Sequence, residues 1–444
     1  MNTVPYSTPF PLDGIMNFLV DERTGIVRHL IEVKREAGAP DLFGYYAKSC
    51  DTGAFTLHRN FSEAGGASVD RKIAMAKAIG EAVERYCAAI FDPIELPFFS
   101  FNSAPSLAVS PEKFALYRFQ QYEEVGFPYR PFLPESPIHW ALGNDLVSGQ
   151  PYLVPASMVF VPYFPSHEDG EVPICQPIST GLACHFSQAE ASLSAICEVV
   201  ERDAFTIAWQ ARLAMPQILI ESLSEQNQDL VNRYERAGAE VSVINLTMDH
   251  GIPTILSVLR HTHPELPALV FAAATHPDPE KAVRKSLEEL ALTRRLAKYL
   301  KQTIPLFSPG PDYENVVNKT GHVRLFCDQR SAHLADFIFA STIKINFDEI
   351  ENLSSGTAER DVAVLVEKLG KLSYQVVIID LTTPDVRGLG LFVHRAIIPG
   401  FHSLFFGHRI RALGGARLWE VPPKLGYNGI KKKDGDNPIP HPYP

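Results

Sequence analysis

Residues 195–203 read AICEVVERD, and residues 78–86 read AIGEAVERY. Both place two glutamates three apart inside a run that otherwise has the spacing of a buried helix. At 100° per residue, Ser194, Glu198 and Glu201 fall within about 60° of one another, while Leu193, Ile196, Cys197, Val199, Val200, Ala204 and Ile207 take most of the remaining circumference. Lys77, Glu81 and Glu84 make the same narrow stripe opposite Ile79, Val83, Tyr86 and Ile90. Two readings stand. Each E-x-x-E-R is a surface stripe with i,i+4 ion pairs, or the carboxylates face an internal polar cavity, where their charge demands a paired base, protonation or a cation. Hard divalent ions take oxygen ligands, and Mg2+ commonly joins a few carboxylates to phosphates.

The flanking sequence sets these stripes on helices. Ser187 followed by Glu190 is a capping box that opens a helix running to about Gln210, and GGASVD introduces one from about Asp70 to Ile90. Asp278 and Pro279 suit the cap and first position of a third, long helix, on which Lys285 and Glu289 lie one turn apart on one face. Residues 223–238 read as helix, VSVINLTM and PTILSVLRH as strands, and ALVFAAAT as a buried strand. SAHLADFIFAS and GTAERDVAVLVEKLGKLSY read as helical elements before the strand YQVVIIDLT. Residues 1–60 look like short strands and turns, and 92–177 look irregular except for a helix over 111–124. Periodicity alone supports an α+β or α/β class, with no tandem period.

The 444 residues, 45% apolar and 21% charged, have the composition of a soluble globular chain. A net charge of -10 argues against a surface that coats nucleic acid. The N-terminus lacks a basic region followed by an apolar one, and no run of about 18 apolar residues occurs, so the chain reads as cytoplasmic with no membrane partner. Six scattered cysteines suggest neither a zinc site nor a disulfide framework. No G-x-x-x-x-G-K-[ST] or G-x-G-x-x-G loop is present, which excludes P-loop and Rossmann modes of nucleotide binding.

Five stretches, in order, resemble the YcaO family, and within it the azoline-forming cyclodehydratases of the SagD-like group. They are GGASVDRKIAMAKAIGEAVERYC, QPISTGLACHFSQAEASLSAICEVVERDAFTIAW, HPDPEKAVRKSLEELALTRR, FFGHRIRALGGARLWEVP and NPIPHPYP. The resemblance implies a mixed α/β fold in which acidic helices pack on β-sheets around a central ATP site. It implies a YcaO domain over 61–444, with a proline-rich tail at 434–444, preceded by a β-rich segment at 1–60 packed on the core. It makes Glu81, Glu84, Glu198, Glu201 and Glu289 ligands of Mg2+ ions that bridge ATP phosphates, with Lys77, Ser194 and Lys285 as nucleotide contacts. Lys77 stands where many members have Ser, and Lys285 where many have Arg; neither lysine offers a bidentate fork.

The activity implied is ATP-dependent conversion of Cys, Ser or Thr in a ribosomal precursor peptide to thiazoline or oxazoline. The alternating Pro438, Pro440, Pro442 and Pro444 favour an extended tail, and in the resemblance that tail reaches the active site, where the terminal carboxylate of Pro444 and the ring of His441 assist proton transfer. The implied partners are the precursor peptide, an E1-like or ThiF-like leader-binding protein, a flavin dehydrogenase of the same pathway and a second copy in a homodimer. Alternatives are thioamide or amidine formation on the same ATP chemistry, or a non-catalytic nucleotide-binding subunit. His185 and His276 are further candidates to line the site, Arg202 to pair with a neighbouring acid, and Arg212 to touch phosphate.

Overall fold

Three times in this chain a strand leads into a long helix, and two of these units, each carrying one of the repeated stretches, pack on a common strand. The structure, a computed structural model, describes residues 12–36, 38–104, 106–431 and 435–444. In chain order the elements begin with α1 (Leu12–Leu19), β1 (Val27–Glu32), β2 (Phe43–Ser49), β3 (Glu63–Ser68) and α2 (Arg71–Ala88). Next come β4 (Phe98–Ser100), α3 (Phe119–Tyr122), β5 (Pro137–Asp145), β6 (Gln150–Pro155), β7 (Leu182–His185) and α4 (Gln188–Gln210). They are followed by β8 (Gln217–Ile218), α5 (Glu225–Arg236), β9 (Glu240–Asn245), β10 (Thr254–Arg260), β11 (Leu269–Thr275), α6 (Pro279–Thr303) and α7 (Lys319–Leu325). The chain closes with β12 (Lys344–Ile345), α8 (Ala358–Lys371), β13 (Val377–Asp380), α9 (Pro384–Gly388), β14 (Phe392–Ile397) and α10 (Arg417–Lys424).

Three sheets result. One has the order β1-β2-β3, a second β11-β10-β9-β8-β12, and a third β4-β5-β13-β14-β7 with β6 beside β5. Helix α2 packs on β3, β2 and β7; α4 packs on β7, β14 and β11; α6 packs on β11, β10 and β3. Each pair of these helices therefore shares a strand, and their inward faces meet.

Local chemistry explains the strand-to-helix turns. Asp70, Ser187 and Asp278 cap the three helices by accepting from Ile73, Glu190 and Glu280 N–H groups. At Gly66 a Cβ would stand 2.3 Å from the Ala74 carbonyl, so only glycine lets β3 lie this close to α2. Gly181, at φ +86°, passes nearly as close, since a Cβ there would stand 2.6 Å from the Ala396 carbonyl and 2.8 Å from Val199. Helix α4 is buried on nearly every side; Phe205 and Trp209 pack with Phe271 and Phe326, and each such side chain contributes about 1.5–3 kcal/mol by leaving water.

Several expectations change. Residues 12–19, read as strands and turns, form the short helix α1; residues 1–11 and Asp434, at the start of the expected tail, lie outside the described residues. The helix expected over 111–124 shrinks to one turn at Pro111–Lys113 and another at Phe119–Tyr122, because Tyr117, Tyr122, Phe127 and Tyr129 stack on one another instead of lining a helix face. The stretch at SAHLADFIFAS is a run of 3-10 turns. The three-stranded sheet crosses residue 60, joining β1 and β2 to β3. All six cysteines are free thiols. Among the described residues no helix is long and apolar enough to cross a membrane.

One buried ion pair ties α4 to α10. Arg417, 3% exposed, donates from Nε and Nη2 to the fully buried Asp203, at 2.8 and 2.7 Å, and from Nη2 to Asp249 at 2.9 Å. Replacing Arg417 with Met leaves two carboxylates buried without their cation, and urea unfolding is expected to show a loss of about 3–5 kcal/mol.

Candidate nucleotide and metal site

The glutamates of the two repeated stretches are held by the strands that precede them. Glu81 accepts from the Gly65 N–H at 2.7 Å, and Glu198 accepts from the Gly181 N–H at 3.1 Å. The repeat is thus three-dimensional: a glycine at the strand and a first glutamate on the helix, in both units. A cross-link joins them, since the Cys184 N–H on β7 donates to Glu84 on α2 at 2.8 Å.

The i,i+4 ion pairs also exist. Arg85 donates to Glu81 at 2.7 Å and Arg202 to Glu198 at 3.3 Å, with Arg202 Nε 3.2 Å from Glu201. They lie between packed elements and not on an outer surface, so both readings of the stripe hold in part. Burial pushes the Glu84 carboxyl well above the usual value, with Glu81 and Glu198 adding to the shift. Burial pushes Glu201 up to about 8; Arg202 opposes this, while Glu289 and Glu198 reinforce it. Glu289 on α6 is raised by burial too, against Lys77, Lys285 and Arg202. It is nevertheless open to solvent, so the cluster lines a cleft that opens to solvent on the α6 side. The five carboxylates repel one another across this cleft, and that excess negative charge fits hard cations by the chemistry of its donors. Among the described residues no three such side chains converge to hold one ion; the arginines occupy Glu81, Glu198 and Glu201 in this arrangement.

Ser194 and His185 share a hydrogen bond of 2.9 Å at the same cleft. Burial and the Lys285 charge lower His185 to about 4, so the ring is neutral. Lys77 Nζ donates to Glu288 at 2.6 Å and to the Ala67 carbonyl at 3.0 Å. Glu288, which the sequence reading missed although it adjoins Glu289, also accepts from Ser68 at 2.7 Å and so clamps α6 to β3 and α2. Burial and the charges of Lys285 and Lys281 lower His276 to about 2. Arg212, two residues past the end of α4, lies over the Phe337 ring and does not join the cluster. Lys319 of α7, also unforeseen, is solvent-exposed yet within range of Glu81, Arg85 and Arg202.

The tail is buried. Asn437 donates to the Trp209 carbonyl, Trp209 to that of Ile439, and His322 Nδ1 to that of His441 at 2.8 Å. Both ring nitrogens of His441 are engaged, Nε2 with the Phe405 carbonyl at 2.7 Å and Nδ1 with the Tyr443 N–H at 3.2 Å. Tyr443 donates its hydroxyl to Glu201 at 2.6 Å and receives the Ala273 N–H at 3.1 Å, while Arg202 lies over its ring. The tail therefore reaches the acid cluster through a tyrosine, a contact the alternating prolines alone did not signal. Pro444 is partly exposed next to it.

A family model described as YcaO cyclodehydratase, ATP- and Mg2+-binding, matches residues 65–402. The chain belongs to the YcaO family. ATP and Mg2+ are its cofactors, and the YcaO fold is the mixed α/β architecture described above. An uncharacterised protein of Methanothermobacter thermautotrophicus is 27% identical over 384 residues, 84% of this chain and 89% of that one. A heterocyclase solved in complex with substrate and cofactor superposes with a TM-score of 0.79 at 23% identity, covering 98% of this YcaO chain and 57% of that one. YcaO from Methanopyrus kandleri, bound with AMPPCP and Mg2+, gives a TM-score of 0.63 at 21% identity over 88% of this chain and 90% of that one. This YcaO chain thus spans little more than half the heterocyclase chain that it matches.

Histidines hold the tail in place in their neutral form. Burial lowers His322 to about 4, and His402 and His408 to about 3. Below the ordinary histidine value of 6.5, the unfolded chain takes up protons that the folded chain does not, so stability is full above that value and falls as the pH drops toward 4. Chemical unfolding across this window is expected to show a loss of about 1.4 kcal/mol per pH unit for each ring.

Proposed function

We propose that this YcaO protein is an ATP-dependent cyclodehydratase subunit that converts Cys, Ser or Thr of a ribosomal precursor peptide to thiazoline or oxazoline. The observation that carries this reading is the meeting, at one cleft, of the five glutamates from α2, α4 and α6 with the buried proline-rich tail through the Tyr443 hydroxyl on Glu201. The family match and the likeness to a heterocyclase support it.

In this reading Glu81, Glu84, Glu198, Glu201 and Glu289 hold the metal ions, and Lys285, Lys77 and Ser194 border the nucleotide. Bound Mg-ATP supplies the phosphoryl group that turns a poor leaving group, the amide oxygen, into a good one. The side chain of the substrate residue attacks the preceding carbonyl carbon, and that carbonyl's oxygen departs as phosphate when the ring nitrogen gives up its proton. The protein's part is to position the peptide, neutralise charge and exclude water. Arg85 and Arg202 stand in for the cations until metal binds. The tail sets the shape of the site: His441, with both nitrogens engaged, acts as a positioning residue, and the carboxylate of Pro444 is the group in the tail that accepts a proton. A separate E1-like or ThiF-like protein supplies leader recognition, a flavin dehydrogenase acts on the azoline product, and the protein works as a homodimer in the cytoplasm.

Purified protein with ATP, Mg2+, the leader-binding partner and a Cys- or Ser-rich precursor is expected to remove one water per ring, read by mass spectrometry. ATP hydrolysis with an unchanged peptide mass would sink the proposal, and replacement of oxygen by sulfur would reassign it to thioamide formation. Glu84→Gln or Glu198→Gln is expected to lower ATP use at least a hundredfold while the fold survives. Tyr443→Phe is expected to cost about 1–2 kcal/mol in stability and to lower the cyclisation rate more than ATP binding.

A further inference from the structure

Beside Gly181 lies an arginine only part of whose guanidinium is bound. Arg395 sits in β14, opposite Leu182 of β7, and is 3% exposed. Its Nη2 donates to the Met158 and Ile178 carbonyls at 2.7 and 2.8 Å. Its Nε and Nη1 are buried and have no hydrogen-bond partner. Leaving such donors unmet costs about 1–3 kcal/mol each, and more when the group is charged, so this arrangement persists most easily where a ligand meets them.

The space for one is present. A cavity of about 100 Å3, lined by Met158, Ile178, Arg395, Phe401, His402 and Phe405, opens at this guanidinium. At roughly 15 Å3 of such volume per water, it has room for about seven, the size of one amino-acid residue. Its walls are mostly apolar. His402, 1% exposed, contributes the complementary group. Because Gln210 Nε2 donates to Asp436, Gln210 Oε1 must accept from His402 Nε2, which leaves His402 Nδ1 as a bare acceptor without a partner. Burial lowers the Arg395 guanidinium to about 10, with Glu198 opposing, so its charge is under-compensated.

We infer that this cavity is a carboxylate subsite: it takes an apolar residue whose carboxylate accepts from Arg395 Nη1 and whose amide N–H meets His402 Nδ1. The N–H groups of Nε and Nη1 lie on opposite sides of Cδ and share no edge, so the carboxylate accepts from Nη1, whose unmet N–H groups carry part of the charge it neutralises, and the aromatic and aliphatic walls match an apolar side chain. Val199 and Thr180 also line the cavity, placing its occupant one residue along α4 from Glu198. Resting on the proposed peptide substrate, this makes the subsite a holder for a carboxyl-bearing end of a peptide beside the reacting amide.

The test uses the full chain and two small probes, N-acetyl-leucine and its primary amide, with binding read by calorimetry. The free acid is expected to bind at least tenfold more tightly than the amide. Arg395→Met removes the cation, and Ile178→Phe fills the cavity while leaving its backbone carbonyl in place; both are expected to abolish the preference for the acid at a melting temperature within a few degrees of the parent. Equal binding of acid and amide, or an undiminished preference in both variants, would overturn the subsite. Displacement of the acid by an equal concentration of inorganic phosphate would overturn the apolar-residue assignment. Binding of the probes is read without ATP or precursor, so a failure here is distinct from a failure to form rings.

Discussion

Like charges held close together at one cleft set the demands on this molecule. Five glutamates from three helices face one cleft, and their repulsion is balanced locally by Arg85, Arg202, Lys77 and Lys285 and by backbone N–H groups from Gly65, Gly181 and Cys184. Such an arrangement is expensive unless the supporting structure is stiff. The two strand-to-helix units supply that stiffness, since Gly66 and Gly181 fix the approach of strand to helix, while Gly65 and Gly181 supply the donors that hold the first glutamate.

The same constraint explains why the arginines adjoin the second glutamate in each E-x-x-E-R. Placed four residues after the first glutamate and next to the second, each arginine reaches its acid from the edge of the cleft and not from its floor. Charge is thereby balanced in the absence of metal without the cavity being filled by side chains. Lys77 differs, because Glu288 and the Ala67 carbonyl hold it at the junction of α2, β3 and α6, so this lysine braces the three elements as well as bordering the site.

What could be read from the sequence follows from what has a period. Helices α2, α4 and α6 carry 3.6-residue apolar spacing with clear caps, and their acidic stripes were visible as a narrow break in that spacing. Helix α1 is too short to show a period, and the residues over 111–124 mimicked one while their aromatics found partners across loops. Arg395 left no signal at all: its strand, FVHRAI, is buried on both faces and shows no polar–apolar alternation, and only the fold shows that a cavity opens at its guanidinium. Tyr443 and Glu288 were likewise invisible, because each acts through contacts far away in the chain.

That distance has a kinetic meaning. The hydrogen bond from Tyr443 to Glu201 joins residues 242 apart in sequence, and the one from Ser68 to Glu288 joins residues 220 apart. Contacts of this separation close large loops and form late in folding. The complete acid cluster therefore forms only when α6 and the tail have docked on α2 and α4, and its five carboxylates come together through contacts between residues far apart in the chain.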